Sequence, residues 1–311
     1  MLLKFNTSKH MNERKKRLCI FLHYFTGDYL PIYVQYYLNE LHHYFDEVKM
    51  VTNERRINRN PTLLNKKTHI QFVKNGGYDF GLFYKGFQNI NPSEYCKIAC
   101  INDSNIVFGK LEFLFNWSDK QLVDVWGLVD SHEKPWFSNH VNNYHIQSHF
   151  VVFNTKAIDL LPEFFNKMSY NQLIMEADVK KLRRKIITQW EIGLTQFWLS
   201  HGLTCLTYID SQHVAIQKGV LKPINVFNKH YADFIEDGIP FIKKRLIMHS
   251  SWKNKLRFRN KWHHLIKKYG ETNWEIDLLI DDLNLMKDDM SPNSLKYLRE
   301  KFKKFSFKKT A

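Results

Sequence analysis

The sequence predicts an α/β protein. One domain at residues 18–250 is built on a mixed, mostly parallel sheet flanked by helices, with a polar segment at 1–17 before it and a basic helical region at 251–311 after it. Short apolar runs alternate with stretches of helical period, as in an α/β sheet. The apolar run at 97–101 stops abruptly at Asn102-Asp103-Ser104, as a buried strand does when it delivers polar groups to its C-terminal end. From Trp252 onward the composition turns to Lys and Arg interleaved with Trp, Phe and Leu.

Residues 18–24 are nearly all apolar and read as a buried strand. Residues 29–44 place Leu30, Tyr33, Val34, Tyr37, Leu38 and Leu41 at helical spacing, with Pro31 suited to the first turn. Residues 47–52 form a second strand, the Asn- and Arg-rich 53–67 an exposed excursion, and 69–73 a third strand. That strand ends in Asn75-Gly76-Gly77-Tyr78-Asp79-Phe80-Gly81. Paired glycines permit positive φ and close backbone approach, and Asp79 stands where a cap for a helix at 80–87 would stand. The spacing is neither GxGxxG nor a P-loop.

This loop precedes the strand that carries Asp103, so both carboxylates are expected at one sheet edge. Open α/β sheets bind ligands beyond the carboxyl ends of their strands, which makes Asp103 the first candidate functional residue. The alternative is a helix N-cap, with 108–115 as the helix that follows.

Residues 122–130 read as a strand, 131–143 as a loop and 144–153 as a further strand. The first half of the last holds His145, Gln147, Ser148 and His149, polar groups that need partners inside a protein; a polar ligand would supply them. His145 and His149 on one strand face would lie about 13 Å apart, too far to share a metal. Helices are expected at 160–168 and 176–200. In the second, Glu191 interrupts the apolar face of Ile186, Ile187, Trp190, Leu194, Phe197 and Trp198, either at a solvated edge or aimed into a site. Residues 203–209 close the sheet, and 240–245 are a basic turn or short helix.

Lys and Arg number 46 against 31 Asp and Glu, a net charge of +15 that favours an anionic partner: nucleic acid, a membrane surface or a phosphorylated substrate. Cys19, Cys96, Cys100 and Cys205 sit mainly in apolar runs without CxxC spacing, as reduced core thiols of a cytosolic protein do. Neither a signal peptide within 1–17 nor a run of roughly 18 apolar residues is apparent, so any membrane association is expected to be peripheral.

The 75–81 loop, Asn102-Asp103-Ser104, the 124–130 and 145–150 segments, Trp190-Glu191-Ile192-Gly193-Leu194 and Pro240-Phe241-Ile242-Lys243 occur in that order. Together they resemble the rhamnan synthesis F family of bacterial polysaccharide glycosyltransferases, found in O-antigen, capsule and wall polysaccharide clusters. The resemblance spans roughly residues 18–248. It implies transfer of a hexose, rhamnose being one option, from a nucleotide diphosphate donor to a growing, lipid-linked glycan. It also implies a single GT-A-like domain, since after Ile209 too little strand-helix alternation remains for a second nucleotide-binding half.

In this setting Asn75, Gly76, Gly77, Asp79, Asn102, Asp103 and Ser104 are expected to bind the donor, with Asp103 holding Mg²⁺ or Mn²⁺ against the diphosphate. The chain carries Asn-Asp-Ser where many such folds carry Asp-x-Asp, which leaves metal dependence open. Glu191 is the expected base toward the acceptor hydroxyl, Asp130 the runner-up, with His145, Gln147, Ser148 and His149 lining the acceptor side.

The basic C-terminal region is expected to hold the protein on the inner face of the cytoplasmic membrane. Two clusters would do so: Lys253, Lys255, Arg257, Arg259 and Lys261, then Lys301, Lys303, Lys304, Lys308 and Lys309. Trp252, Phe258, Trp262, Phe302 and Phe305 would insert shallowly. A solvated helical appendage is the plainer reading. Two other functions stay open: a nucleic-acid-binding protein, favoured by charge but without a binding motif, and a non-catalytic glycan-binding protein on the same fold.

Overall fold

The computed structural model describes residues 15–57, 61–248 and 261–289. Strand β1 (Lys16–His23) is apolar on both faces. Cys19 and Phe21 enter one core cluster while Leu18, Ile20 and Leu22 enter another, the period of two of a strand covered on both sides. Helix α1 (Ile32–Leu41), entered from Pro31, packs in the first cluster and leads to β2 (Glu47–Asn53), parallel to β1, with β3 (His69–Val73) outside it. Helix α2 (Tyr78–Phe87) packs in the second cluster and returns the chain to β4 (Tyr95–Asn102), on the other side of β1. The chain direction across the sheet therefore reverses between β1 and β4, whose last residues are His23 and Asn102.

After β5 (Asn105–Val107) and α3 (Glu112–Ser118), the sheet is completed by β6 (Val125–Ser131), β7 (His145–Ile146), β8 (Phe150–Asn154) and β9 (Cys205–Ile209). Its order is β3-β2-β1-β4-β8-β6-β7, with β9 on β6, giving four parallel and three antiparallel pairings. The expected mixed, mostly parallel sheet flanked by helices is what forms. All four cysteines are free; Cys19 and Cys100 are buried and the other two half-buried.

Four local expectations are corrected. The strand expected at 144–153 is two: β7 and β8 both pair with β6, and Gln147-Ser148-His149 turns out between them, so His145 and His149 share no strand face. Gly127 permits this, because a Cβ there would lie 2.3 Å from Ile146 Cγ2 and 2.6 Å from the Phe150 carbonyl oxygen. The helix expected at 108–115 begins only at Glu112, since the residues just after Asp103 pair as β5 with β10 (Phe241–Lys243). Segment 240–245 is thus a strand running into a helix, α11 (Lys244–Met248); between β9 and β10 lie α8 (Ser211–Gln217), α9 (Val226–Lys229) and α10 (Tyr231–Glu236). The helix expected at 176–200 is α6 (Val179–Lys185), a π-helical turn at Ile186–Ile192, and α7 (Gly193–Ser200), following α4 (Thr155–Met168) and α5 (Tyr170–Ile174).

The described part of the C-terminal region is not an appendage. Helices α12 (Lys261–Tyr269) and α13 (Ile276–Asp289) bury Trp262, Leu265, Ile266, Leu279, Leu283 and Met286 in the same cluster as α1. Asp282 accepts the Ile32 N–H at 2.8 Å, satisfying an orphan donor at the start of α1, and Tyr36 stacks on Trp274 at 4.8 Å. Trp262 is 3% exposed, which corrects its expected insertion into a membrane. Trp252, Phe258, Phe302, Phe305 and the basic clusters around them, Lys261 apart, lie outside the described residues. Among the described residues no helix is long and apolar enough to cross a membrane.

Burial of this kind has a measurable cost. Trp262→Ala is expected to destabilise the whole chain by roughly 3–5 kcal/mol in urea unfolding; a loss near zero would return α12 to the status of an appendage.

Candidate functional site

The point where the chain direction reverses is where open α/β sheets bind ligands. Here it is densely charged. Asn102 N–H donates to the His149 carbonyl and Asp103 N–H to the Leu22 carbonyl, at 3.1 and 3.2 Å, tying the end of β4 to both neighbours. Asp103 caps no helix. Its Oδ2 accepts hydrogen bonds from His23 Nδ1 (2.9 Å), the Tyr33 hydroxyl (2.7 Å) and Lys244 Nζ (2.5 Å), and Lys244 also donates to the Tyr33 oxygen at 3.2 Å. Four segments distant in sequence, β1, α1, β4 and α11, meet on one oxygen.

Burial alone would raise the Asp103 pKa, but the charge and hydrogen bonds of Lys244 and His23 outweigh it and hold the carboxyl well below the usual carboxylate range. Burial lowers His23 in turn, against the opposing pull of Asp103; its Nε2 is buried without a partner among the described residues. Arg55, just past β2, lies with its guanidinium 5.2 Å over Phe25 and donates from Nη1 to the Gly27 carbonyl at 3.3 Å. Its Nε and Nη2 are buried without partners among the described residues, and its charge interacts with Asp103 and Tyr33.

Asp79 lies in the first turn of α2 but makes no cap. Its Oδ2 accepts from Asn102 Nδ2 at 2.8 Å, while Asn102 Oδ1 accepts the Ser104 N–H at 2.9 Å, so the Asn102 side chain links both acidic loops. Burial, reinforced by Asp103 and Glu191, raises Asp79 to about 7 against the pull of Lys244. The close approach expected at the glycines is made by the protein itself. Gly77 has φ +78°, a Cβ there would lie 3.2 Å from the Tyr170 ring, and the Tyr170 hydroxyl donates to the Gly76 carbonyl at 3.2 Å. Asn75 is exposed.

On the other side, the 147–149 turn meets β10 and the π-helical turn. Ser148 Oγ donates to Glu191 Oε1 at 2.9 Å. Lys243 is buried, donates to Gln147 Oε1 at 3.3 Å, and lies 3.1 Å from His149 Nδ1, which accepts. Burial, aided by Arg245 and opposed by Glu191, lowers Lys243 to about 7; burial and Lys243 push His149 well below the usual imidazole value. His149 Nε2 is buried without a partner among the described residues.

Asp79, Asn102, Asp103, Ser104, Gln147, Ser148, His149 and Glu191 thus come together. Asp130 and His145 have other partners: Asp130 Oδ1 accepts the Ser211 N–H at 2.7 Å at the start of α8, and His145 Nδ1 donates to the Asn143 carbonyl at 2.7 Å. His23, Tyr33, Arg55, Lys243 and Lys244 escaped the sequence reading. Two signals pointed to them: His23 lies at the end of the first strand, and Lys243 within the Pro240 motif.

Asp103 fits a divalent cation poorly. The oxygen that three donors share is already neutralised by an ammonium.

The fold is that of an α/β protein with a mixed, mostly parallel sheet and a charged crevice at its strand ends. The model of the rhamnan synthesis protein F family matches residues 50–309, and the chain belongs to that family. The match begins within β2, later than the 18–248 suggested by the motifs, and runs on through the C-terminal region. A search of curated proteins gives no match. Among solved structures, the chain is similar to a protein assigned as a glucose-1-phosphate thymidylyltransferase from Bacillus anthracis, with 11% identity, TM-score 0.39, and coverage of 62% of this chain and 86% of that one. It is also similar to a 4-diphosphocytidyl-2C-methyl-D-erythritol synthase from Anaerococcus prevotii, with 12% identity, TM-score 0.37, and coverage of 63% and 89%.

Two outcomes follow from these contacts. Asp103→Ala leaves Lys244, His23 and Tyr33 without their shared acceptor, so it is expected to cost about 3–5 kcal/mol in denaturant titration. Asp79 keeps its proton in the folded chain up to about 7 but releases it near 3.8 when unfolded, so its contribution to stability falls as pH rises between those values. The Tm of Asp79→Asn relative to wild type should therefore climb from pH 4 to pH 7 and then level off; a flat difference would refute the raised pKa.

Proposed function

We propose that this protein is a glycosyltransferase of GT-A type, moving a sugar from a nucleotide diphosphate donor to a growing, lipid-linked bacterial surface glycan such as an O-antigen or capsule chain. Rhamnose is the first sugar to test, given the family. The observation that carries the reading is the charged crevice at the ends of β1 and β4, where Lys244 and the unspent N–H groups of Arg55 gather round Asp103 with the Nε2 of His23, which is buried without a partner among the described residues. A departing nucleoside diphosphate needs such cations, and a ligand's hydroxyl and phosphoryl groups would satisfy the orphaned atoms.

In this reading Arg55 neutralises charge on the diphosphate, the remaining N–H of Lys244 donates to it, and Asn102, Asp103 and Ser104 shape its seat. Glu191, oriented by Ser148, takes the proton from the acceptor hydroxyl, and π-helical turns occur frequently at functional sites. Lys243, Gln147 and His149 position the acceptor side. No step is routed through a metal; a divalent ion bound jointly by Asp103 and the donor phosphates is the alternative. The net charge of +15 supports peripheral binding on the inner face of the cytoplasmic membrane, with the 301–309 lysines contributing.

A screen of nucleotide sugars, reading released nucleoside diphosphate, tests the reaction class; no turnover with any donor, together with glycan binding, would favour the non-catalytic reading. Glu191→Gln should lower kcat about 10²- to 10⁴-fold with donor KM little changed, and Arg55→Ala should raise donor KM. If Asp79→Asn rather than Glu191→Gln shows the kcat loss, Asp79 is the base. Turnover should survive EDTA; loss restored by Mn²⁺ would return a metal to Asp103.

A further inference from the structure

We propose that the exposed face formed by α6 and the loop carrying Trp136 docks on an anionic lipid bilayer. This deepens the membrane-bound reading above by naming a surface distinct from the C-terminal lysines. Helix α6 has no buried side chain. From Lys167 to Lys185 the chain carries six Lys and Arg against two carboxylates, and both carboxylates are committed locally. Glu176 pairs with Lys185 at 2.9 Å, and Asp178 accepts the N–H groups of Lys180 and Lys181 at the start of α6. Large apolar side chains stand in solvent on the same stretch, Met175 80% and Val179 68% exposed. Trp136 is 79% exposed, and the Arg184 guanidinium lies 4.5 Å over its ring, which joins the loop and the helix into one surface.

A cleft of about 650 Å³ opens in this face, lined among others by Lys167, Lys181, Arg184, Lys185, Phe137 and Phe197, and by no carboxylate among the described residues. Cations around exposed Trp, Met and Val suit the boundary between anionic headgroups and acyl chains, where the charges meet phosphates and the apolar groups insert shallowly. A protein partner would instead favour an apolar centre depleted of charge. Helix α6 continues into the π-helical turn, and Glu191 lies roughly 10 Å along the helical path from Arg184. Docking here would hold the acceptor side of the site near the bilayer.

The test uses the full chain with vesicles of mixed phosphatidylglycerol and phosphatidylcholine, and of phosphatidylcholine alone, in sedimentation at low and high salt. Wild type should bind only the anionic vesicles and be released by salt. Changing Lys180, Lys181, Arg183 and Arg184 together to Gln should weaken binding by at least about tenfold. Trp136→Phe should remove most of the vesicle-induced blue shift in Trp emission. These exposed positions should leave Tm and vesicle-free release of nucleoside diphosphate unchanged, so loss of that release in wild type counts against the glycosyltransferase reading alone. Wild-type vesicle binding by the Gln variant, absence of wild-type binding, equal binding to neutral vesicles, or capture of single-stranded oligonucleotides in place of vesicles would overturn the proposal.

Discussion

The ion pair between Asp103 and Lys244 is the contact on which the arrangement of the crevice depends. It joins residues 141 positions apart and is 2.5 Å long. With His23 and Tyr33 on the same oxygen, it fixes the ends of β1 and β4 against the starts of α1 and α11. A buried carboxylate without such partners would take up a proton, and the cation is what keeps Asp103 ionised despite its burial.

The opposite electrostatic outcome appears a short way off. Asp79 is raised to about 7 by burial, reinforced by two nearby carboxylates, and has an amide rather than an ammonium for its hydrogen-bond partner. Burial, aided by Arg245, lowers Lys243 to about 7, and its hydrogen-bond partners Gln147 and His149 leave that uncompensated. One crevice therefore holds a carboxylate kept well below the usual range together with a carboxyl and an ammonium both shifted to about 7. Perturbed groups gathered in a crevice are a mark of functional sites.

The π-helical turn carries two neighbours with opposite needs. Trp190 is fully buried, yet its neighbour Glu191 must reach a polar partner. Trp190 stays in the core while Glu191 meets Ser148, both within the π-helical turn. The 147–149 turn is the matching device on the other side, releasing Ser148 and His149 from the alternation of a continuous strand.

The sequence by itself determined the strands 18–24, 47–52, 69–73 and 97–101, the helix behind Pro31, and the prominence of Asp103, Asp79 and Glu191, because apolar periodicity and interruptions in it are local signals. Only the tertiary structure decided what those carboxylates touch. The partners of Asp103 come from β1, α1 and α11, and nothing in the local pattern of Tyr33 or Lys244 marks them as its donors. The same holds for Asp130, whose carboxylate is taken by the first N–H of α8, and for the glycines at 76 and 77, which seat Tyr170. It holds also for the C-terminal helices: basic residues interleaved with aromatics read as an interfacial surface until α1 is placed against them, and Trp262 then proves to be core. Periodicity reports which face of an element is apolar; which other element covers that face, and which charge reaches across to it, depends on how the whole chain packs.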